Sequence, residues 1–303
     1  MEKYDIVLLT SASYENPITI DPIVQNILDD DKLVKEALEQ RGLSVIRKDW
    51  ASADFDWNNC EYAIFRTPWD YFDKYELFSK WLKKVQYKTT LINPAETIFW
   101  NIDKHYLQDL NKKEVHTIPT VYIEKGDQIT LRDLHENQKW DKTILKPAVS
   151  ATARHTYKLS LDNLDQHNSI FQKLIGERCM MLQPFQNDIE ENGEVSYVLF
   201  GGKFTHTVLK RTKPGDFRVQ DEFGGTVELY SPNQKEIAFA QSAVNACDPV
   251  PVYARVDVIR DNDGKLCLVE LELLEPELWF RLNPGSAKTF SNHIMNFIKS
   301  KKG

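Results

Sequence analysis

The chain lacks the two glycine-rich sequences that most often mark a nucleotide site. Neither Gly-x-x-x-x-Gly-Lys-Ser/Thr nor Gly-x-Gly-x-x-Gly occurs among the 303 residues, and glycine is scarce, with 12 residues in all. Because such glycines let the backbone approach phosphate groups closely, their absence argues against P-loop and Rossmann chemistry. A nucleotide, if one is bound, requires a different fold.

Cysteine, basic blocks and long apolar runs are also scarce. The formal charge is −7, the one basic cluster is a short tail at Lys299–Lys302, and the first apolar run, Ile6–Leu9, is far below membrane-spanning length. We therefore expect a cytoplasmic protein without nucleic-acid or membrane partners, and a homodimer is left open. The histidines show no ligand spacing and are interpreted as structural or surface groups. The cysteines are widely spaced, which predicts reduced core thiols and no disulfide or zinc framework: Cys60, Cys179, Cys247 and Cys267.

Near its end the sequence places acidic residues inside two strand-like apolar runs. Arg255–Ile259 and Leu268–Glu272 flank a polar Asp-Asn-Asp-Gly turn, which predicts a hairpin. Residues two apart in a strand point the same way, so Glu270 and Glu272 share a face and can converge with Asp257. Clustered carboxylates repel one another unless a hard cation neutralises them, and Mg²⁺ prefers such oxygen ligands. Solvated carboxylates on an edge strand are the alternative.

The first hundred residues alternate between strand and helix patterns. Their order predicts a small parallel α/β domain. The predicted strands are Tyr4–Thr10, Leu43–Ile46, Glu61–Arg66 and Thr90–Ile92, and the predicted helices are Asp31–Gln40 and Tyr75–Val85.

The segment after the third strand combines a guanidinium, an aromatic ring and a carboxylate, in Arg66, Trp69 and Asp70. Ligands of open α/β sheets lie beyond the carboxyl ends of the strands, so this segment is a candidate pocket for a zwitterionic substrate. A proline-containing turn held by a packed tryptophan is the alternative.

The middle of the chain has a different character. A run of small residues, Ala148–His155, separates two predicted strands and is suited to a backbone that lies close to polyphosphate. A hairpin is predicted for Val195–Phe200 and Lys203–Lys210, and a last helix for Ala287–Lys299. The other predicted elements are the helices Ile102–Lys112, Leu131–Gln138 and Leu161–Ile175 and the strands Thr117–Ile123, Lys142–Ala148, Thr156–Leu159 and Cys179–Phe185.

The order of these features resembles the ATP-grasp superfamily. The motifs that carry the resemblance are Asp103-Lys104, Leu145-Lys146-Pro147, the small-residue run, Leu182-Gln183-Pro184-Phe185, Arg255-Val256-Asp257 and Glu270-Leu271-Glu272. Four further segments are similar to the branch that contains glutathione synthetase-like enzymes and the cycloserine-forming cyclo-ligase. They are Arg66–Tyr71, Leu209–Arg211, Asp216–Gln220 with Gly224-Gly225, and Glu270–Pro276.

The resemblance implies an α/β chain with an N-terminal parallel α/β domain followed by a two-part ATP-grasp fold. The substrate-side domain would span residues 1–98, the first grasp subdomain residues 99–186, and the second, with the metal site, residues 187–303. ATP and Mg²⁺ are the implied cofactors, with Mn²⁺ as an alternative metal.

The resemblance also implies roles for individual residues. The implied metal ligands are Asp257, Glu270 and Glu272, where the family commonly has Asn at the last position. The implied ATP-binding residues are Lys104 and Lys146 for the phosphates, Ser150 and Thr152 in the small-residue loop, and Gln183, Pro184 and Phe185 at the adenine. That loop departs from the family in having no glycine.

Cationic side chains complete the implied site. Lys210 leads into a basic loop, and Arg218 and Arg255 are suited to neutralise charge on a phosphoryl group in transfer. Arg281 is expected either to bind a substrate carboxylate or to cap the last helix. Arg66, Trp69 and Asp70 are the other implied substrate contacts.

The predicted function is that of a Mg-ATP-dependent carboxylate–amine ligase acting through an acyl phosphate on a small amino-acid-like substrate. The amine belongs either to the same molecule, which gives a ring, or to a second one. An ATP-binding regulatory module of the same fold without turnover, and an α/β scaffold whose charges are merely surface groups, are the alternatives.

Overall fold

The computed structural model describes residues 2–150, 153–213, 215–219 and 224–302. In these residues the chain forms three β-sheets, one parallel and two antiparallel. The sheets fall one each within residues 1–98, 99–186 and 187–303, although the domain boundaries themselves stay a prediction. None of the described helices is long and apolar enough to cross a membrane.

The first sheet is parallel and has the strand order β2-β1-β3-β4. Strands β1, β3 and β4 are largely buried and apolar, as strands covered on both faces require, whereas the edge strand β2 carries Arg47, Lys48 and Asp49. They are β1 (Tyr4–Thr10), β2 (Val45–Asp49), β3 (Cys60–Thr67) and β4 (Thr90–Ile92), and the accompanying helices are α1 (Ala12–Glu15), α2 (Pro22–Glu39), α3 (Tyr75–Val85) and α4 (Ala95–Asn101).

Helix α2 is longer than the sequence pattern predicted. It begins at Pro22, not at Asp31, because Asp21 caps it by accepting a hydrogen bond of 2.8 Å from the Val24 amide. Proline suits the first turn of a helix, where its missing amide hydrogen has no partner to lose. The extra turns bring Asp30 and Asp31 into the middle of a buried helix face. There they pair with Arg281 and Arg66.

The second sheet is antiparallel, in the order β5-β8-β6-β7. Its strands are β5 (Val121–Ile123), β6 (Lys142–Pro147), β7 (Tyr157–Ser160) and β8 (Met180–Pro184), and the helices of this part are α5 (Tyr106–Lys112), α6 (Leu131–Gln138) and α7 (Leu164–Glu177). The predicted helix Ile102–Lys112 is interrupted. Between α4 and α5 the chain turns, and the Lys104 amide donates a hydrogen bond of 3.0 Å to the Ala148 carbonyl at the end of β6.

The third sheet has the order β11-β10-β9-β12-β13. Its strands are β9 (Glu194–Phe200), β10 (Lys203–Arg211), β11 (Thr226–Leu229), β12 (Tyr253–Arg260) and β13 (Leu266–Glu272), and its helices are α8 (Asp188–Glu191), α9 (Gln234–Asn245) and α10 (Gly285–Lys302). Both predicted hairpins, β9 with β10 and β12 with β13, are antiparallel pairs. The β12–β13 register sets Asp257 opposite Glu270, beside an irregularity between Asp257 and Val258.

One apolar core joins the first and third sheets. Ile6 and Leu8 of β1 belong to the same buried cluster as Phe200 of β9 and Phe290 of α10, and α10 packs against α2. The second sheet has a cluster of its own, built with α6 and α7. The first and third sheets are therefore packed through a continuous core.

Side chains from α4 and α5 form hydrogen bonds with backbone groups along the outer edge of β13. The Asn101 amide nitrogen donates to the Leu271 carbonyl and its oxygen accepts from the Leu273 amide, both at 2.8 Å. The Tyr106 hydroxyl accepts from the Leu271 amide at 2.9 Å. The buried Asn93 side chain, which follows β4, also donates to the Leu273 carbonyl at 2.9 Å. These bonds fix the strand that carries Glu270 and Glu272.

Candidate active site

A cavity of about 290 Å³ lies where segments from the three sheets meet. It is close to the lower end of the size range of small-molecule sites, about 300 to 1,000 Å³. Its charged lining residues, which come from distant parts of the sequence, include Lys104, Lys146, Lys210, Arg218, Arg255, Asp257, Glu270, Glu272 and Glu275.

The three predicted carboxylates converge. One oxygen of each of Asp257, Glu270 and Glu272 lies within 4.8 Å of the others. Asp257 is buried, and both glutamates are about three-quarters buried, with side chains 28% and 23% exposed. An oxygen-only set of this kind fits Mg²⁺ better than it fits softer metals.

Asp257 is the most strongly anchored of the three. The Ser196 hydroxyl donates to it at 2.6 Å, Arg255 donates to both of its oxygens at 3.0 and 2.9 Å, and Lys210 Nζ lies 3.3 Å away. Burial raises the pKa of Asp257, but the Arg255 and Lys210 charges outweigh it and bring the pKa to about 2. Asp257 is therefore ionised and held in one orientation.

Arg255 links two members of the cluster. It donates to Glu272 as well as to Asp257, and its guanidinium carbon lies 5.3 Å from the centre of the Trp279 ring. Burial raises the pKa of Glu272 well above its usual range in spite of Arg255, with Glu270 and Asp257 adding to the rise. Arg255 thus holds the carboxylates of Asp257 and Glu272 together in this structure, and the phosphoryl contact expected for it stays a prediction.

The two predicted phosphate lysines face Glu270. Lys104 Nζ lies 3.0 Å from a Glu270 oxygen and donates to the Ser150 carbonyl at 2.7 Å. Burial lowers the pKa of Lys146, and the charge of Glu270 is the largest effect that opposes this shift. Both ammonium groups therefore stand beside the carboxylate cluster, where phosphate oxygens of a bound metal–nucleotide would lie.

Lys210 has a second carboxylate partner that sequence reasoning missed. Glu194, the first residue of β9, is buried and forms an ion pair with Lys210. Gly193 makes the approach possible, because its φ is +90° and a Cβ atom there would lie 2.3 Å from the Lys210 carbonyl oxygen. The signal available in the sequence was an acidic residue at the start of an apolar strand.

The predicted adenine segment lines the cavity through Gln183, Pro184 and Phe185. The Gln183 amide donates to the Thr120 hydroxyl at 2.8 Å. The Phe185 amide donates to the Lys142 carbonyl, and the Phe185 carbonyl accepts from Asn262, both at 2.9 Å. The Phe185 backbone groups are thus bonded within the protein, and its apolar ring is available to the cavity. Adenine binding by this segment stays a prediction.

The small-residue loop reaches the cavity at Ser150. Thr152 lies outside the described residues. Ala153 and His155 adopt left-handed backbone angles, with φ of 53° and 54°, so the loop takes conformations usually left to glycine. Arg154 forms an ion pair with Asp73, which ties this loop to the first domain.

Arg218 lines the cavity from the basic loop. Its guanidinium donates to both oxygens of Asp216, at 3.0 and 2.7 Å, and this pairing lowers the pKa of Asp216. The predicted catalytic cation is therefore present at the site, with Asp216 as its partner.

Of the three predicted substrate contacts in this segment, Trp69 lines the cavity, as does its neighbour Tyr71. The Trp69 indole nitrogen donates to the Glu275 carbonyl at 3.1 Å. Arg66 and Asp70 do not occur among the described lining residues. Asp70 accepts a hydrogen bond of 2.7 Å from the Trp50 indole and pairs with Lys74.

Arg66 and Arg281 are held by consecutive acidic residues of α2. The Arg66 side chain is 2% exposed and its Nε donates to Asp31 at 3.1 Å, and Arg281 Nη1 lies 3.1 Å from Asp30. Neither arginine is among the described cavity-lining residues. Both arginines thus form ion pairs with α2, and their role as substrate contacts stays a prediction.

Glu275 is a further cavity residue that sequence reasoning missed. It is buried, and the Tyr71 hydroxyl is hydrogen bonded to it. Burial raises the pKa of Glu275 to about 7, against the effects of Tyr71 and Lys104. A carboxyl group of this kind is able to exchange a proton near neutral pH. The signal available in the sequence was an acidic residue shortly after the predicted strand Leu268–Glu272.

Comparison with known proteins places this geometry in a family context. Residues 6–93 match the family model described as D-cycloserine synthetase DcsG, N-terminal domain. The cycloserine biosynthesis protein DcsG of Streptomyces lavendulae is 25% identical over 282 residues, covering 87% of this chain and 92% of that protein. The crystal structure of D-cycloserine synthetase DcsG matches with a TM-score of 0.85 and 23% identity, over 95% of this chain and 98% of that one.

Two more distant ligase structures share the whole fold. The D-alanine–D-alanine ligase of Bacillus anthracis, solved with ATP, matches with a TM-score of 0.64 and 11% identity over 99% of this chain and 100% of that one. The ATP-grasp ligase PsnB, solved with a precursor variant, Mg and ADP, matches with a TM-score of 0.63 and 14% identity over 98% and 99% of the chains. This chain has the ATP-grasp fold. The recognised superfamily and the predicted α/β fold class are confirmed, and homology to DcsG places the chain among the ATP-dependent ligases.

The residues of this ATP-grasp site fit a metal–nucleotide. Carboxylates and lysines lie together where a cation and a triphosphate would bind, and the cavity lining adds the apolar side chains of Ile144, Phe185, Ile259 and Val269 for a base. The lining therefore suits Mg²⁺ and ATP bound together in one cavity. The assignment of individual ligands remains a proposal.

Proposed function

We propose that the chain is a Mg²⁺-dependent ligase that activates a small amino-acid-like carboxylate as an acyl phosphate and joins it to an amine. One observation carries this proposal. The oxygen cluster of Asp257, Glu270 and Glu272 and the ammonium groups of Lys104 and Lys146 line a single cavity. The carboxylates come from the third sheet, Lys146 from β6 of the second sheet, and Lys104 from the turn between α4 and α5.

When bound, MgATP supplies the phosphoryl group and the charge neutralisation that its transfer needs. Lys104 would exchange its Glu270 partner for a phosphate oxygen, and Glu270 would turn to the cation. Ser196 and Arg255 hold Asp257 in place for the same cation. The protein therefore contributes orientation and preset charge, with no covalent step of its own.

In the first proposed step a substrate carboxylate oxygen attacks the γ-phosphorus and ADP leaves. In the second step the amine nitrogen attacks the acyl carbon, phosphate leaves, and the nitrogen loses a proton. Glu275 is our candidate acceptor for that proton, because it lines the cavity and its pKa of about 7 lets it accept a proton at neutral pH. Tyr71 and Trp69 hold it from the first domain.

Ring closure within one molecule is the specific substrate chemistry that we propose. The support is the similarity to DcsG, described as a D-cycloserine synthetase, over 95% of this chain. The substrate would be an amino acid that carries its own nitrogen nucleophile, such as a ureido-amino acid. Ligation of two separate molecules is the alternative, as in the D-alanine–D-alanine ligase.

The decisive experiment measures ADP and phosphate release from MgATP with a panel of amino acids, ureido-amino acids and dipeptides. Each reaction is run with and without hydroxylamine, which traps an acyl phosphate as a hydroxamate. We expect release that depends on one carboxylate, and its loss in Asp257→Asn and Glu270→Gln. Glu39→Gln, at an exposed ion pair of α2, is the matched control and should keep full activity.

A regulatory module that binds ATP without turnover is the second candidate. It is favoured by the internal pairing of Asp257 with Arg255 and Lys210, which supplies the cluster with positive charge of its own. Such a module would bind MgATP without hydroxamate formation for any substrate in the panel. Absence of nucleotide binding would overturn both candidates.

A further inference from the structure

A second group of metal-ligating side chains lies outside the cavity lining. One ligand atom of each of His105, Glu124 and Cys179 lies within 4.8 Å of the others. None of the three is among the described residues that line the cavity. They come from the turn between α4 and α5, the end of β5 and the start of β8.

The register of the second sheet brings two of these side chains together. Tyr122 pairs with Met181 and Ile123 with Met180, in antiparallel order. One step further along the same register, Glu124 comes opposite Cys179. Cross-strand neighbours at such positions have side chains close enough to share a ligand.

The third side chain, His105, is fixed in orientation by two contacts. Its Nδ1 lies 2.5 Å from an Asp103 oxygen, and its ring stacks on Tyr122 with centroids 4.1 Å apart. Donation of Nδ1–H to Asp103 leaves the Nε2 lone pair for another partner. Nε2 points into the group, 3.1 Å from Glu124 Oε1 and 4.0 Å from Cys179 Sγ. A carboxylate behind a histidine is the usual outer support of a metal-bound imidazole.

The three ligand types indicate which metal would bind. Nitrogen, sulfur and oxygen together suit Zn²⁺ and related divalent transition metals, whereas Mg²⁺ avoids a thiol. Three protein ligands leave a fourth position for water. Cys179 is half-buried, while Cys60, Cys247 and Cys267 are buried in the protein core. Cys179 is therefore the accessible thiol among the four cysteines.

We propose that His105 Nε2, Cys179 Sγ and the Glu124 carboxylate bind a Zn²⁺ ion, with Asp103 supporting the histidine. This site is separate from the oxygen cluster of the cavity and does not depend on the ligase activity. It differs from the sequence-based interpretation of the cysteines as reduced core thiols and of the histidines as structural or surface groups. The ion would tie the turn that carries Lys104 to two strands of the second sheet.

Zn²⁺ binding at this site would release protons. Burial raises the pKa of Cys179 to about 12, and the neighbouring carboxylates of Glu124 and Asp103 add to the rise. The sulfur is thus a neutral thiol before the metal arrives, and it releases its proton to solvent as the metal–sulfur bond forms. Burial lowers the pKa of His105, but its hydrogen bonds to Asp103 and Glu124 outweigh this effect and raise the pKa, so a protonated imidazole also releases its Nε2 proton to solvent when the metal binds. The carboxylate contributes a lone pair without proton loss.

The test uses Co²⁺ as a spectroscopic substitute for Zn²⁺, added to the chelator-treated full chain in excess Mg²⁺ so that the oxygen cluster is supplied. We expect one equivalent of Co²⁺ to give a thiolate-to-cobalt charge-transfer band in the near ultraviolet. Zn²⁺ should abolish the band by displacement. Cys179→Ser should remove it, whereas Cys247→Ser, at a buried thiol, should retain it.

Affinity measurements separate metal binding from a simple hydrogen-bond network. Zn²⁺ affinity is measured by competition with a chromophoric chelator. We expect it to fall in the ligand variants His105→Asn and Glu124→Gln. In Asp103→Asn, which removes the support of the histidine, we expect a fall of about 10- to 100-fold. Glu177→Gln, at an exposed carboxylate, is the matched control. Circular dichroism of the metal-free variants checks that each still folds. Absence of the band, or its survival in Cys179→Ser, would overturn the proposal.

Discussion

Lys104 Nζ lies 3.0 Å from Glu270 Oε1. This ion pair connects the turn between α4 and α5 to β13, the strand of the third sheet that carries Glu270 and Glu272. Each partner has a proposed role that the other blocks, the lysine toward phosphate and the carboxylate toward Mg²⁺. The pair therefore keeps both charges compensated until MgATP arrives. Entry of the ligand would replace one ion pair by two.

Lys104→Met tests the lysine half of this exchange. We expect MgATP to bind about 10- to 100-fold more weakly, because a charge-assisted hydrogen bond of about 1.5 to 3 kcal/mol is lost. Titration calorimetry measures the affinity. Lys112→Met, at an exposed lysine of α5, should bind as the natural chain does. Unchanged affinity in Lys104→Met would remove this residue from the phosphate site.

Ser196→Ala tests how Asp257 is oriented. The buried Ser196 hydroxyl donates to Asp257 at 2.6 Å, and outer supports of this kind typically change metal affinity about 10- to 100-fold. We expect the Mg²⁺ concentration that gives half-maximal activity to rise by a factor in that range. Ser242→Ala, at an exposed serine of α9, is the control. An unaltered Mg²⁺ requirement would show that Arg255 and Lys210 suffice to hold Asp257.

Glu275→Gln tests the proposed proton acceptor through its pH dependence. The pKa of Glu275 is raised to about 7, so the carboxyl is protonated below that pH and ionised above it. A base must be ionised to act, and we therefore expect kcat of the natural chain to rise as the pH passes through about 7. The variant should lack this limb of the profile. The same limb in both proteins would exclude Glu275 as the acceptor.

Arg66→Met tests the structural role assigned to this arginine. The side chains of Arg66 and Asp31 are 2% and 0% exposed, so the change leaves a buried carboxylate without one of its partners. We expect a loss of about 3 to 5 kcal/mol in the free energy of unfolding, measured with urea. Asp31→Asn in the same chain should restore part of it. A raised KM for substrate with unchanged stability would return Arg66 to the substrate site.

Local sequence patterns predicted much of the architecture. Helix α3 and strands β1 and β4 have the predicted bounds, because each is a short periodic or apolar run between clear breakers. The β12–β13 hairpin followed from alternation and a polar turn, and with it came the converging carboxylates. Because these carboxylates lie in one hairpin, local sequence patterns were sufficient to predict that they converge.

Long-range packing decided the features that were missed. Arg66 and Arg281 pair with Asp31 and Asp30 of α2, and only tertiary packing shows such pairs. The break before α5 follows from a hydrogen bond between the Lys104 amide and Ala148. Helix spacing cannot predict this bond, because Ala148 lies forty-four residues from Lys104 in the sequence.

The core shared by the first and third sheets has a consequence for biosynthesis. Ile6 and Leu8 are made well before Phe290 and Ile294 of α10, which complete their face of β1. Helix α2 covers part of that face in the meantime, whereas the second sheet closes its own core with α6 and α7. A nascent chain that has not yet released α10 therefore carries an uncovered apolar surface on β1, and the first sheet reaches its final packing only after α10 has been made.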